Sequence, residues 1–293
     1  MIHLILYIVF SSVFTLCIKW VYNRGTEDIL TIGAINYIVA AIGIAPWALS
    51  DGQQTGDVNA MLTGGTMGLV YFIAFFFVIY AIRLVGASAT TVVGVLSISM
   101  AIAVGALVWN SVPTTLQFFG IGLALFSLCL IGVKPIPADV DVHDEDVKES
   151  PVNFASNKLA PLVLLAFFVL CGMSRICQEA FNQLSEVDQK PTFLITAFLV
   201  TALPSVVMLV ARKKKVRPVE FLTGIIMGLS NAAQTFFILR SLDKFPGYIV
   251  FTVTSAGAII FTMLIATQFL GEKLSRRMSV GIGIAVLALA LLN

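Results

Sequence analysis

Long apolar runs alternate with short polar connectors along the whole chain. Ten of the runs are about 20 residues long, the length a helix needs to cross a bilayer at about 1.5 Å per residue. They cover roughly 2–22, 29–49, 60–82, 86–109, 115–133, 159–183, 191–211, 218–240, 246–270 and 276–292. The pattern predicts an all-α integral membrane protein with ten transmembrane helices. The first run starts at Ile2 with no basic residue before it and no small-residue cleavage site after it, so it reads as a retained helix rather than a signal peptide.

The runs also echo each other. Leu62-Thr63-Gly64-Gly65-Thr66-Met67-Gly68-Leu69 returns as Leu222-Thr223-Gly224-Ile225-Ile226-Met227-Gly228-Leu229, 160 positions later (222 − 62). Gly120-Ile121-Gly122 with Ala124 returns as Gly281-Ile282-Gly283 with Ala285. Two copies of one unit are therefore expected: 1–133 as a first five-helix repeat and 159–293 as a second. Between them lies 134–158, with Pro135, Pro137, Pro151 and the acidic stretch Asp139 to Asp146, read as a solvated acidic cytoplasmic linker. Five spans per copy is an odd number, so the second copy must cross the membrane in the opposite sense. Inverted repeats of this kind are a ground plan of secondary transporters, because two near-equivalent halves can exchange conformations.

Composition agrees with a lipid environment: 58% of residues are hydrophobic and 12% charged, with a mean hydropathy of +0.97. Soluble domains carry about a quarter charged residues. The net charge of +2 gives no reason to expect a nucleic-acid partner; the expected partners are the bilayer, a small-molecule substrate and coupling protons. Basic residues sit on one side. The odd connectors hold fourteen Lys and Arg, among them Lys19, Arg24, Arg212 to Lys215, Arg217 and Arg276; the even connectors hold three, Lys190, Arg240 and Lys244. By the positive-inside rule the odd connectors are cytoplasmic and both termini outside.

Cys17, Cys129, Cys171 and Cys177 all fall in apolar spans without a CxxC, and His3 and His143 lack spaced partners, so no metal or cofactor is expected. Helix six is the least lipid-compatible span, with Arg175, Gln178, Glu179 and Asn182. Positions 175, 179 and 182 share one face, and charge at that depth costs several kcal/mol unless it meets protein or water. They form either a polar wall of the pathway, with Glu179 holding a substrate amine or a coupling proton, or a mutually neutralising pair that snorkels. Lys19 repeats the position of Glu179. Asn36, Tyr71, Asn231 and Gln234 are further pathway candidates. Gly64-xxx-Gly68 and Gly224-xxx-Gly228 offer small faces for close helix packing or for sliding.

The two five-helix copies, Gly271-Glu272-Lys273-Leu274 before the final Gly-Ile-Gly helix, and Lys19 closing helix one resemble EamA-type members of the drug/metabolite transporter superfamily. The resemblance implies a bacterial cytoplasmic-membrane transporter, with a central cavity from helices one, three, four, six, eight and nine, that exports or exchanges amino acids or related metabolites. It makes Gly271 and Glu272 structural motif residues. It also implies termini inside, opposite to the charge count. Asn110-Ser111-Val112-Pro113 stands where the first copy would carry its Gly-Glu, so Glu272 has no twin. A membrane enzyme would need a cluster of nucleophilic or acid–base groups near one interface, and a receptor or scaffold would need folded extramembrane mass; the sequence offers neither.

Overall fold

The computed structural model describes residues 1–24, 28–50, 57–132, 159–185, 189–213, 215–269 and 276–291. These fold into α1 (Ile2–Arg24), α2 (Ile29–Ser50), α3 (Val58–Leu96), α4 (Ile98–Trp109), α5 (Thr115–Gly132), α6 (Ala160–Leu184), α7 (Lys190–Ala211), α8 (Pro218–Leu242), α9 (Gly247–Phe269) and α10 (Arg276–Leu291), with no strand among the described residues. Six stretches are long and apolar enough to cross a membrane: Ile29–Pro46, Val58–Ile82, Val92–Trp109, Ala160–Leu184, Lys190–Ala211 and Pro218–Leu242. Four more, in α1, α5, α9 and α10, are apolar but shorter among the described residues. The linker 134–158 and the motif residues Gly271 and Glu272 lie outside the described residues.

The expected break between the third and fourth runs is displaced. The backbone stays helical from Val58 to Leu96 and gives way only at Ser97. The chain nevertheless doubles back within that stretch. Met67 receives a hydrogen bond from Gln178 and Ser97 one from Arg175, a single turn away on α6. Thirty residues of straight helix would separate them by about 45 Å, so the path must reverse between them.

Packing is reciprocal. α3 lies on α6 and α7, while α8 lies on α1 and α2; α4 meets α6, α9 meets α1, and α5 pairs with α10. The glycine faces make the closest approaches. A Cβ on Gly64 would stand 2.5 Å from the Phe193 carbonyl oxygen of α7. A Cβ on Gly228 would stand 2.6 Å from the Asn36 carbonyl oxygen of α2, and one on Gly224 would meet Ile32 and Ile35. Thr201 Oγ1 donates across the first of these contacts to the Gly68 carbonyl at 2.9 Å. The core between the halves holds Phe193, Phe198, Phe251 and Leu239, all fully buried, whereas Leu107, Phe118, Leu203 and Val210 stand on the outside. Apolar groups on the outer surface suit a lipid solvent, which removes the hydrophobic penalty for exposing them.

Polar ties hold both ends. At the end carrying the 212–217 basic cluster, Arg217 and Glu220 cap α8 reciprocally, Glu220 also accepts the Asp28 backbone N–H at 3.0 Å, and Arg212 pairs with Asp28 at 2.7 Å. At the opposite end the α8–α9 corner is tied on three sides. Asn182 Nδ2 donates to the Leu242 carbonyl at 3.1 Å, Lys190 pairs with Asp243 at 2.9 Å, and Tyr248 donates to Gln117 at 3.1 Å. Lys190 is 3% exposed and Asp243 24%. Removing only the carboxylate leaves a buried ammonium without it, so Asp243→Asn should destabilise by about 2 kcal/mol, below the range for a wholly buried pair because Asp243 is partly solvated. Lys190→Met, which removes the buried charge itself, should do less harm. Detergent-solubilised thermal unfolding of the two variants checks the order.

Candidate functional site

A cavity of about 290 Å³ opens among α1, α2, α3, α6 and α8. Phe14 and Ile18 line it from α1, Gly33, Asn36 and Tyr37 from α2, Tyr71, Phe75 and Val78 from α3, Phe167 and Ser174 from α6, and Met227, Asn231 and Gln234 from α8. Phe14 and Ile18, Gly33, Asn36 and Tyr37, Phe167 and Met227 fall in the halves of their helices that run toward the 24–28, 159 and 218 end, the end of the basic cluster, while Ser174, Asn231 and Gln234 lie just past the midpoints of α6 and α8. The opposite half is filled by the aromatic core and the ties at the α8–α9 corner.

The polar part of the lining is a chain of amides. Gln234 Nε2 donates to Asn231 Oδ1 at 3.2 Å, and Asn231 Nδ2 donates to Asn36 Oδ1 at 3.4 Å. Asn231 and Gln234 are three residues apart, so one helix face delivers both, and the Gly228 contact one turn earlier brings α8 against α2 beside Asn36. Across the cavity Tyr71 carries the remaining polar edge: Tyr37 donates to its carbonyl at 3.4 Å and Gln178 Nε2 donates to its hydroxyl at 3.3 Å. Gln178 itself sits behind Tyr71, buried, with its Oε1 unpartnered.

Of the residues singled out in the sequence, Asn36, Tyr71, Asn231 and Gln234 meet at this cavity. The helix-six face does not act as one wall. Arg175 Nη1 reaches Ser97 Oγ at 2.6 Å and the carbonyls of Gly94 and Cys171 at 3.3 Å, holding the break between α3 and α4. Asn182 belongs to the α8–α9 corner. Glu179 faces a separate water-sized space with Gly105, Ser111 and Tyr248. Its Oε1 accepts from Gln183 at 3.1 Å, and its Oε2 is buried without a partner, pressed against Gly247 at the start of α9. Arg175 and Glu179 are thus neither a wall nor a snorkelling pair; they share a helix face, but their tips are claimed by different neighbouring helices. Lys19 lies one residue beyond Ile18 on α1, and its side chain is outside the described part of the structure.

Two further differences concern the lining. α2 contributes where the resemblance implies α4 and α9. Tyr37, Phe75 and Ser174 were not singled out, although Tyr37 adjoins Asn36 and Phe75 is one turn from Tyr71. Among the described residues no group of His, Cys, Asp and Glu side chains is gathered as a metal site would need.

A solved crystal structure superposes on 99% of this chain and 94% of its own, with a TM-score of 0.76 at 14% identity, which establishes a shared fold. No curated protein matches the chain by sequence. Residues 1–133 match the model of the EamA-like transporter family. Together with the six apolar spans this marks an integral membrane protein. The first 133 residues are thus similar to a family of the drug/metabolite transporter superfamily.

Proposed function

We propose that the chain is a secondary transporter that exports small polar or amphipathic metabolites, the class to which amino acids belong, from the bacterial cytoplasm by alternating access between two inverted five-helix halves. The observation that carries this reading is the cavity itself, which is walled by α1, α2 and α3 of the first half and α6 and α8 of the second. The reciprocal packing of α3 on α7 and α8 on α2 supports the inverted relation, and the four shorter apolar helices would complete ten crossings. Catalysis has no part in it.

The charge count puts the cavity end in the cytoplasm, so the conformation described faces inside in this reading, and export is the direction the family resemblance implies. That orientation has its own test. Lys213→Cys and Val112→Cys lie on opposite sides, and an impermeant thiol reagent applied to intact cells should label position 112 and spare 213, with the parent chain as background for its own cysteines. Labelling of 213 alone would reverse the assignment.

Substrate movement is tested by metabolite pools in cells and medium. Overexpression should shift at least one amphipathic metabolite outward, and Asn231→Leu, which breaks the amide chain, should reduce the shift about tenfold, the effect of one to two hydrogen bonds. Pools identical to those of cells without the chain would overturn the transport reading.

A further inference from the structure

We infer that the cavity selects an uncharged amphipathic molecule: a flat apolar body carrying a carboxamide- or lactam-like edge that donates and accepts hydrogen bonds side by side. This rests on the transporter reading and narrows it to a substrate class.

The first argument is the absence of charge. Among the described lining residues there is no Asp, Glu, Lys, Arg or His. The ionic groups of α6 point elsewhere, Arg175 into the α3–α4 break and Glu179 into the separate small space, and Asp28 beside Ile29 is paired with Arg212; the side chains of Lys19 and Arg83, next to Ile18 and Ile82, lie outside the described part of the structure. An ammonium or carboxylate brought into this cavity would lose water and gain no opposite charge, which costs several kcal/mol. A neutral ligand escapes that penalty.

The second argument is the amide chain. With Gln234 donating to Asn231 and Asn231 to Asn36, one end is the Asn36 amide NH2 and the other the Gln234 amide oxygen. Neither atom has a protein partner among the described residues; Asn36 is buried at 1% exposure where it borders the cavity, and Gln234 is half-buried. The cavity therefore presents one spare donor and one spare acceptor on the same wall. Turning all three amides over exchanges the two ends and keeps one of each. A primary amide or lactam supplies the complement. A carboxylate offers only acceptors and an ammonium only donors, so either would leave one pole unmet.

The third is the opposite wall. Phe75, Val78 and Phe167 from α3 and α6, with Phe14 from α1, give an apolar surface suited to a ring. A volume of about 290 Å³ admits a small molecule rather than a peptide.

The test measures binding to the full-length purified chain in lipid nanodiscs, using four probes with one ring: indole-3-acetamide, indole-3-acetate, tryptamine and tryptophan. The amide should bind about tenfold or more tighter than each charged probe, the equivalent of one hydrogen bond to a buried group. Asn231→Leu should remove that preference. Gln234→Glu, which adds one carboxylate and keeps the shape, should make tryptamine the tightest probe. If tryptophan binds best to the parent and Asn231→Leu weakens it, the inference fails while the cavity stands as the transport site. Tightest binding of indole-3-acetate also overturns it and points to a basic group such as Lys19. If no probe binds the parent, the class is wrong, and the metabolite pools decide separately whether transport survives.

Discussion

Gly68→Leu is expected to leave almost no folded protein in the membrane, and Gly228→Leu to do the same from the other half. A side chain at 68 would run into the Ala197 carbonyl oxygen, with Val200 Cβ at 2.9 Å; one at 228 would sit 2.6 Å from the Asn36 carbonyl oxygen. Both obstacles are backbone of a facing helix, which cannot rotate aside as a side chain can. The helices would have to part, and Gly68 would also lose the hydrogen bond its carbonyl accepts from Thr201. Overpacking of this sort costs about 1–3 kcal/mol where the site can adjust, and a leucine against rigid backbone should exceed that. Gly122→Ala and Gly283→Ala are the controls, because nothing lies within 4 Å of a Cβ at either position. They should keep or improve yield, since alanine is favoured over glycine in a helix by about 1 kcal/mol. Monodisperse yield after detergent extraction is the measurement. Equal yields for all four variants would mean that the crossings do not hold the halves together.

That contrast marks what the sequence could carry. Both echoes looked alike as strings, yet Gly64, Gly68, Gly224 and Gly228 lie in helix crossings while Gly122 and Gly283 face open space; periodicity reports a face and not what covers it. The apolar runs located the helices to within a few residues because lipid sets both their length and their composition. They separated the spans on either side of Arg83, where the chain reverses while its backbone stays helical, but gave no sign of the interruption at Ser97, where Arg175 reaches across from α6. Asn36, Asn231 and Gln234 were legible because uncharged amides have no business facing lipid, and only the protein interior can satisfy them. Arg175, Glu179 and Asn182 were assigned to one wall because they share a helix face, but a shared face is only a shared direction. Long side chains then diverge to whichever neighbour satisfies them, and those neighbours come from α3, α9 and the end of α8, far away in sequence. The Lys190–Asp243 pair was illegible for the same reason.

Glu179→Gln is expected to suppress transport, or to abolish its dependence on pH, while leaving ligand binding in the large cavity intact. Glu179 is 3% exposed and lies outside that cavity, on the sealed side of the bundle. Its place as a holder of a substrate amine is therefore the weaker role, and its place as a coupling group is the stronger one. With Oε2 unpartnered among the described residues and set against Gly247, the carboxyl group is placed to respond when the start of α9 moves. In the proposed alternating-access cycle, opening the end tied by the α8–α9 corner would require that movement. Glutamine has the shape of the protonated acid and cannot release a proton, so it should hold the corner in one state. Gly247→Ala approaches the same contact from the other side: its methyl would overlap Oε2 and push the carboxylate away, so transport should fall without any change of charge. Reconstituted vesicles with an imposed pH gradient give the rate, and equilibrium binding gives the affinity. If Glu179→Gln transports at the parent rate with the parent pH profile, Glu179 only packs the start of α9, and coupling must be sought elsewhere. If its binding affinity collapses together with transport, the carboxylate acts on substrate after all, and the separation of the two cavities does not persist through the cycle.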